Sequence, residues 1–313
     1  MRVLLAGATG TLGRVLIPQL LSAGHDVVGI GRSRAGGDRV KALGAAPLTV
    51  DVMDREALLA ATSGMAFDAV IHELTALKKP PLRHADMRPT NALRIDGTAH
   101  LIEVARETGA TRFLTQSIVL GYGFGDLGTR RLDEDAPFAV PRGDAFDEHL
   151  AAMNSTERQT LTARGIDGVA LRYGIFYGAD MGTTAALLRR RMLPVVRHGG
   201  DIPFIHHADA AAATVAALVR GEPGGVYNIV DDTPATIRDL VMRIAEHYGT
   251  PRPRTVPRWF IRVRAPYTAT LFEGVSMRVS NERAAVVLGW APRYPSIREG
   301  ISANSRDRRR PPR

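Results

Sequence analysis

Apolar residues in the first part of the chain fall into two alternating patterns. Short uninterrupted runs, such as RVLLA at residues 2–6, are typical of buried strands, whereas residues 11–23 carry apolar side chains at helical spacing until Gly24. Strands that alternate in this way with helices build a parallel sheet covered by helices on both faces. The sequence therefore predicts an α/β fold with a doubly wound parallel sheet. The further predicted strands are DVVGIG, APLTV, FDAVIHEL, TRFLTQS and GVALRYG, and the further predicted helices cover residues 37–43, 54–61, 90–108 and 145–164.

The alternation becomes less regular after about residue 178. Residues 251–266 (PRPRTVPRWFIRVRAP) are rich in proline and arginine and are interpreted as a connector. We predict a sheet domain over residues 1–178, to which some later segments return, a smaller C-terminal α+β region over residues 179–303 that binds substrate, and a disordered basic tail over residues 304–313. Helices are predicted at 182–192, 207–220, 236–248 and 281–288, with short strands such as GVYNIV between them.

Composition narrows the chemistry. The chain of 313 residues has no cysteine, which excludes disulfides, thiolate nucleophiles and cysteine-ligated metals. The adjacent histidines His206 and His207 diverge along a strand or turn, so no metal site is predicted. The start of the chain does not resemble a signal peptide and no apolar run reaches the length of a membrane span, so we expect a cytoplasmic protein with no membrane partner. Much of the net charge of +9 lies in the arginine-rich tail, and a nucleic-acid partner is not expected.

The turn GATGTLG at residues 7–13 is the first candidate site. It follows a predicted strand and opens a predicted helix, with glycines at Gly7, Gly10 and Gly13. Such a turn lets the backbone approach a pyrophosphate, while the free N–H groups of the helix N-terminus face the anion. The sequence therefore predicts a dinucleotide site here, with a plain strand–helix turn as the alternative.

The end of the second predicted strand bears on the choice of cofactor. An NAD site usually carries an acidic residue there for the ribose 2′-hydroxyl, but this chain has Arg32, Ser33 and Arg34. Guanidinium groups can pair with a 2′-phosphate, which an acidic residue would repel. NADP(H) is therefore favoured over NAD(H), unless both arginines simply lie in solvent.

Several segments together resemble the extended short-chain dehydrogenase/reductase family, also called the NAD-dependent epimerase/dehydratase family. The resemblance runs from residue 3 to about residue 301 and implies a Rossmann fold for the NADP(H)-binding domain. Its carriers are GATGTLG, DVMD (51–54), VIHELTA (70–76), GTAHLIEVARETGATRFLTQS (97–117), LRYGIFYG (171–178), FIHHADAAAATVAAL (204–218), VYNIVDD (226–232) and LGWAPRYPSIREGI (288–301).

The resemblance also implies roles for single residues. Asp51 and Val52 would meet the adenine, and Leu74 and Thr75 would line the path to the nicotinamide ribose. Ser117 would hydrogen-bond the substrate oxygen and lie near the cofactor. The pyrophosphate would be surrounded by Gly7, Thr9, Gly10, Thr11, Leu12 and Gly13.

One family feature is replaced in this chain. The family carries a Tyr-x-x-x-Lys pair on the helix after TQS, with a glutamate four residues later that Glu157 matches. Counting back gives Met153 at the lysine position and His149 at the tyrosine position. The three lysines of the chain, at 41, 78 and 79, all lie elsewhere, and no tyrosine occurs between residues 122 and 173. Methionine cannot hold the ribose or lower a phenol pKa, so another group must handle the proton.

Three side chains are candidates for that task. His149 has a side chain suited to proton transfer near neutral pH, Tyr122 lies five residues past Ser117, and Tyr173 follows a predicted strand close to the nicotinamide. Each has a structural alternative, because buried tyrosines commonly only pack and a helical histidine commonly lies at the surface.

The substrate is predicted from three features. Ile175 stands where nucleotide-sugar enzymes of the family carry asparagine, which argues against a nucleotide sugar. The loop at 76–89 is rich in Lys, Arg and His and borders the carboxyl edge of the sheet. The C-terminal region adds an apolar set, so the pocket would suit a bulky organic acid or a phenolic molecule. That set is Trp259, Phe260, Tyr267, Phe272 and Met277.

The sequence thus predicts an NADP(H)-dependent oxidoreductase for a carbonyl-type small molecule, with a non-standard proton donor and a possible homodimeric state. Two alternatives stay open at this point. One is an isomerase, cyclase or lyase that works without net redox change, and the other is a dinucleotide-sensing regulator with a protein partner.

Overall fold

The computed structural model describes residues 1–77 and 79–307. Strands β1, β4, β5 and β7 have buried apolar interiors, as expected for parallel strands covered on both faces. The strands are β1 (Arg2–Ala6), β2 (Asp26–Gly31), β3 (Ala46–Thr49), β4 (Ala69–His72), β5 (Arg112–Ile118), β6 (Asp126–Leu132), β7 (Asp167–Tyr173), β8 (Ile175–Tyr177), β9 (Phe204–His206), β10 (Val226–Ile229) and β11 (Ser276–Val279).

Seven strands form one parallel sheet in the spatial order β10-β7-β5-β4-β1-β2-β3, which confirms the predicted fold class. The strand order reverses between β1 and β4, and ligands of such sheets bind at the carboxyl edge of this reversal point. The glycine turn follows β1, and the segment from Glu73 follows β4. Two small parallel pairs, β6 with β11 and β8 with β9, lie outside this sheet.

Helices connect the strands and cover both faces of the sheet. The helix predicted over 90–108 is interrupted by a π-helical turn at Leu93–Gly97. The α-helices are α1 (Thr11–Ser22), α2 (Arg34–Ala42), α3 (Arg55–Thr62), α4 (Arg88–Ala92), α5 (Thr98–Glu107), α6 (Asp147–Leu161), α7 (Met181–Arg189), α8 (His207–Arg220), α9 (Ile237–His247), α10 (Arg258–Arg264), α11 (Pro266–Glu273), α12 (Glu282–Leu288) and α13 (Ile297–Asp307).

The structure differs from the predictions in three further places. The supposed connector at 251–266 contains α10 and the start of α11, because Pro257 and Pro266 stand at helix starts, where proline is tolerated. β6 was not predicted, since its mostly exposed residues lack an apolar pattern. α13 extends through Asp307, so the first four residues of the predicted disordered tail are helical, and 308–313 lie outside the described residues.

Within the described residues, no helix has both the length and the apolar character needed to cross a membrane.

Candidate cofactor and substrate site

The glycine turn after β1 has the geometry of a phosphate cradle. Gly7 has a φ of +99°, and the N–H of Gly10 donates to the Gly7 carbonyl at 2.9 Å. A Cβ on Gly7 would stand 2.4 Å from the Glu73 carbonyl oxygen, and one on Gly13 would stand 2.3 Å from that of Gly7. No side chain in the described part of the chain caps the N-terminus of α1. The free N–H groups of its first turn therefore fit a diphosphate.

The basic loop after β2 adjoins this turn. Ser33 caps α2 by accepting the N–H of Gly36 at 3.2 Å, and a Cβ on Gly36 would stand 3.4 Å from the Thr9 methyl carbon. Arg32 and Arg34 are exposed, and neither forms an ion pair with a described residue. The loop next to the glycine turn thus carries two exposed guanidinium groups without an ion-pair partner among the described residues.

The residues predicted to meet the adenine and the ribose also lie past strand ends on the carboxyl edge. Asp51 follows β3, is exposed and accepts the N–H of Met53 at 3.0 Å, while Val52 is buried beside it. Leu74 and Thr75 follow β4, the first half-buried and the second exposed. The roles that the resemblance implies for these four residues stay predictions.

Ser117, by contrast, lies in a closed buried cluster. Its hydroxyl donates to Glu157 Oε1 at 2.5 Å, and the side chain has no exposed surface. Arg172 donates to both oxygens of the same carboxylate, at 2.9 and 2.8 Å. The Ser117 hydroxyl is therefore committed to the protein interior, and its predicted contact with a substrate oxygen stays a prediction.

Tyr122 belongs to the same closed cluster. Its hydroxyl donates to Asn228 Oδ1 at 2.8 Å and accepts from Arg172 Nη1 at 3.0 Å. Burial raises the pKa of Tyr122 despite the neighbouring guanidinium. The phenol is thus occupied as a structural hydrogen-bonding group.

Tyr173 lies in a second buried network behind the glycine turn. Its hydroxyl contacts Glu73 Oε1 at 3.0 Å and Thr214 Oγ1 at 2.6 Å, and it is fully buried. Desolvation raises the pKa of the Tyr173 phenol well above its usual value and that of Glu73 to about 8. Both groups are therefore neutral at neutral pH, and Glu73 Oε2 has no partner among the described residues.

His149 lies in a different environment, facing the loop that follows β4. Its Nδ1 lies 2.9 Å from the Asn91 side-chain nitrogen, and its Nε2 lies 3.0 Å from Nδ1 of His84, a half-buried residue of the loop. Desolvation, and next the proximity of His84, lower the pKa of His149 to about 4. The imidazole is neutral at pH 7, with Asn91 donating to Nδ1 and the ring proton on Nε2, directed at His84.

Aromatic rings enclose this histidine pair. The Tyr267 ring lies 5.3 Å from the His149 ring centroid and 5.5 Å from that of His84, and Phe146 lies 4.5 Å from His84. The Tyr267 N–H also donates to the Leu82 carbonyl at 3.0 Å, which ties α11 to the loop. Three separate segments of the chain therefore build one aromatic enclosure over α6.

Arg94, in the π-helical turn, is the cation of this enclosure. It is 92% buried, since 8% of its surface is exposed, and it forms no ion pair within the described part of the chain. Its nitrogens are not among the fully buried atoms that lack a partner, so the guanidinium keeps some accessible surface. Its charge acts on His149 and on Tyr267. Desolvation lowers the pKa of Arg94. A guanidinium group nevertheless keeps its proton near pH 7.

The structure thus separates the four predicted catalytic residues. His149 joins the aromatic enclosure, whereas Ser117, Tyr122 and Tyr173 lie in hydrogen-bonded interior networks. Arg94 was missed, although the sequence carried a signal for it. A charged residue stands there within the otherwise uncharged buried stripe of the predicted helix at 90–108.

A cleft of about 480 Å³ lies beside the β6–β11 pair. It is polar, with Arg131, Arg278, Asp231 and Asp232 in its lining, and none of the predicted site residues lines it.

The chain matches known proteins over most of its length. The model of the NAD dependent epimerase/dehydratase family matches residues 3–230. A "3-diazoavenalumate denitrifying reductase" from Streptomyces sp is 36% identical over 96% of this chain and 99% of that protein. A "4-hydroxy-2-methyl-3-oxo-4-farnesyl-3,4-dihydroquinoline-1-oxide ketoreductase" from Stigmatella aurantiaca is 27% identical over 80% of this chain and 74% of its own.

The fold is also similar to solved structures. The UDP-glucose 4-epimerase of Thermus thermophilus in complex with NAD is 22% identical, with a TM-score of 0.74 over 96% of each chain. At this level of identity the likeness concerns the fold alone.

Proposed function

The chain belongs to the NAD-dependent epimerase/dehydratase family, and from that premise we propose that it is an NADP(H)-dependent reductase of a small organic acid. Its reductase relatives support the broader statement that it is an NAD(P)-dependent oxidoreductase. The observation that carries the finer proposal is the enclosure around His149, where aromatic rings and a cation meet on the helix that bears the family's catalytic pair.

The preference for NADP(H) rests on the loop after β2. Arg32 and Arg34 are exposed and uncommitted beside the glycine turn, and that position has no acidic residue to bind a 2′-hydroxyl. A 2′-phosphate carries charge that two guanidinium groups can bind. Gly7, Gly10 and Gly13 would hold the diphosphate through backbone N–H groups.

The nicotinamide, when bound, supplies a hydride, which is chemistry that belongs to the cofactor. The chain's part is to orient the substrate, exclude water and provide any proton. On α6 the family positions for tyrosine and lysine are held by His149 and by Met153, which is buried with 1% of its surface exposed. Met153 offers no charge and no donor, so no phenol–ammonium couple operates on this helix.

For a carbonyl substrate, His149 is the proton donor that the geometry favours. Its Nε2 proton points to His84, and half-buried His84 connects the pair to solvent. Asn91 fixes the tautomer by donating to Nδ1. Because His149 is neutral at pH 7, the pair first takes up a proton from solvent through His84; the resulting imidazolium gives that proton to the substrate oxygen and returns to the neutral form. Tyr122 and Tyr173 have no comparable route.

A second candidate reaction is reductive removal of nitrogen from a diazo-substituted acid. It is favoured by the denitrifying reductase that is 36% identical over nearly the whole of both chains. For an aryl diazonium group, hydride adds, the carbon–nitrogen bond breaks and dinitrogen leaves, so that the carbon keeps the hydride as hydrogen. No proton is consumed, which suits a site that has no phenol–ammonium couple.

A nucleotide sugar is not the proposed substrate. Ile175 is apolar where nucleotide-sugar enzymes carry an asparagine, and the enclosure around His149 is aromatic. A planar aromatic acid fits these surroundings better than a hydrated sugar diphosphate.

The test is single-turnover oxidation of bound NADPH, followed by nicotinamide absorbance, with aromatic acids that carry an aldehyde, a ketone or a diazonium group. With a carbonyl, His149→Gln should slow the reaction about 10²–10⁴-fold, the usual worth of a general acid. Tyr122→Phe and Tyr173→Phe serve as matched controls and should react at nearly the wild-type rate.

With a diazonium acid, His149→Gln should react as fast as the wild type and release dinitrogen. If His149→Gln leaves carbonyl reduction unchanged, the proton comes from another source and the donor assignment is wrong. If no acceptor of either kind oxidises NADPH, the reductase proposal fails.

A further inference from the structure

Arg94 is a buried cation that the hydride chemistry above does not use. It is more than nine-tenths buried, and no acidic side chain among the described residues pairs with it. Its guanidinium also lacks any hydrogen bond to a carbonyl in that part of the chain. An arginine in the interior almost always has such partners, since desolvating an unpaired charge is costly.

The titratable groups on which the charge of Arg94 acts are uncharged near pH 7. His149 and His72 are imidazoles whose pKa values burial lowers to about 4, so both are uncharged near pH 7. The Tyr267 phenol has its pKa raised to about 12 by burial and is likewise neutral. The carboxylate of Glu148, on α6, is exposed and lies 3.5 Å from the Asn91 side-chain nitrogen, but among the described residues it forms no ion pair with Arg94. An anion from outside the chain would therefore be stabilised beside this guanidinium.

The cofactor's diphosphate already has a place of its own. It belongs to the glycine turn after β1, whereas Arg94 lies past the end of β4, where Leu93 O accepts from His72 Nε2 at 3.3 Å. The charge of Arg94 acts on His149 of α6 and on Tyr267 of α11. The uncompensated charge is therefore on the substrate side of the site.

We propose that Arg94 binds the carboxylate of the substrate, with the Tyr267 hydroxyl as a second donor. The rings of Phe146, His84 and Tyr267, which pack against one another in the structure, would form one apolar wall beside the substrate's aromatic ring. This inference rests on the proposed reductase function, because that function supplies the substrate whose carboxylate Arg94 would bind. The fork of a guanidinium matches both oxygens of a carboxylate, and a water-excluded pair of this kind is stronger than an exposed one.

Binding of the carboxylate by Arg94 would also determine which substrates the site accepts. An aromatic acid would be held at one end by Arg94, which places its reacting group at a fixed distance from His149. An ester or amide of the same acid would leave the buried guanidinium without an anion, and such mismatches are rejected strongly. The site should therefore select for the acid itself.

The test uses the full chain loaded with NADP⁺, so that binding is measured without turnover. Isothermal titration compares para-hydroxycinnamate with its primary amide, in the wild type, Arg94→Gln and Arg94→Lys. The matched control is Arg55→Gln, which removes an exposed arginine paired with Glu103. The wild type should bind the acid about 10- to 150-fold more tightly than the amide, the range of a charge-assisted contact.

Arg94→Gln should abolish that preference while its affinity for NADP⁺ is unchanged, and Arg94→Lys should restore part of it. Arg55→Gln should behave as the wild type. Equal affinity of the wild type for acid and amide, or an undiminished preference in Arg94→Gln, overturns the proposal. If Arg94→Gln does not fold, the wild-type ratio and Arg94→Lys decide.

The outcomes also separate this inference from the proposed function. Preference for the acid without any NADPH oxidation keeps the anion site and rejects the reductase. NADPH oxidation with equal use of acid and amide keeps the reductase and rejects the anion site.

Discussion

Two arginines of nearly equal burial, Arg172 and Arg94, have opposite surroundings. Arg172 is 6% exposed and donates to both oxygens of Glu157, while Arg94 is 8% exposed and has no anionic partner among the described residues. Hydrogen bonds and charge from Glu157 raise the pKa of Arg172 despite its burial, whereas desolvation lowers that of Arg94. A paired buried charge belongs to the scaffold, and an unpaired one indicates a ligand.

Three of the predicted catalytic residues belong to interior hydrogen-bonded clusters of the kind that surrounds Arg172, and His149 does not. Ser117 and Tyr122 are hydrogen-bonded into the cluster of Arg172, and Tyr173 is bonded to Glu73. These side chains hold β5, β7 and α6 together. His149 instead contacts His84, in the loop after β4, and Tyr267, in α11.

The largest expected effect comes from breaking the paired cluster. Glu157→Gln should lower the free energy of unfolding by about 3–5 kcal/mol, since it leaves the buried Arg172 charge uncompensated. Urea denaturation of the apoprotein measures this loss.

The exposed pair of Arg55 and Glu103 is the control, and Arg55→Gln should cost only about 0–1 kcal/mol. A loss from Glu157→Gln as small as that of the control would mean that the Arg172 cluster is not a structural core, and the contrast with Arg94 would disappear.

A pH-dependent effect is expected from Glu73, a buried group that avoids its charge by keeping a proton. Burial raises its pKa from 4.5 to about 8. Between these values the folded state holds a proton that the unfolded state has lost, so this carboxyl lowers stability progressively as pH rises. Glu73→Gln keeps an acceptor for Tyr173 but cannot ionise.

The variant should therefore gain stability over the wild type by up to about 1.4 kcal/mol per pH unit between about pH 6 and about pH 8. Using the difference between the two proteins cancels the opposite effect of His72, His149 and His206, whose lowered pKa values favour the folded state as pH rises. A difference that does not change with pH would contradict the buried neutral carboxyl.

A smaller effect, on cofactor affinity, is expected at the exposed arginines of the loop after β2. Like Arg94, they have no ion-pair partner among the described residues, but they lie in solvent. Arg32→Ala should weaken NADPH binding by about 1.5–3 kcal/mol and leave NADH binding nearly unchanged, because only NADPH carries the 2′-phosphate. Fluorescence titration of both cofactors measures the difference. Arg39→Ala in the helix that follows is the control and should change neither affinity. Equal wild-type affinities for NADPH and NADH would reject the NADP(H) assignment.

The geometry of the glycine turn could be predicted from the sequence because close backbone contacts determine it. Gly7 and Gly13 are required where a Cβ would meet a carbonyl oxygen, and such requirements are visible as residue types. The alternation of apolar runs likewise predicted the parallel sheet, since burial on both faces requires it.

The surroundings of His149 and Arg94 could not be predicted in the same way, because segments that are far apart in the sequence build them. Tyr267 directly follows the stretch interpreted as a connector, and its contact with His149 spans more than a hundred residues of chain. Arg94 was identifiable as a charge in an apolar stripe, but only the structure shows that no described carboxylate lies opposite. Whether Ser117 faces the substrate or Glu157 depends on its strand's orientation, which composition does not reveal.

Isotope tracing gives the decisive test of the proposed hydride transfer from NADPH to an organic acid. The protein is loaded with NADPH deuterated at the transferable position and mixed with the acid acceptors in a single turnover, and the product is analysed by mass spectrometry. We expect the product to carry one deuterium at the reduced centre for each NADPH oxidised. A product without deuterium, or unchanged NADPH with every acceptor, would contradict the proposed transfer.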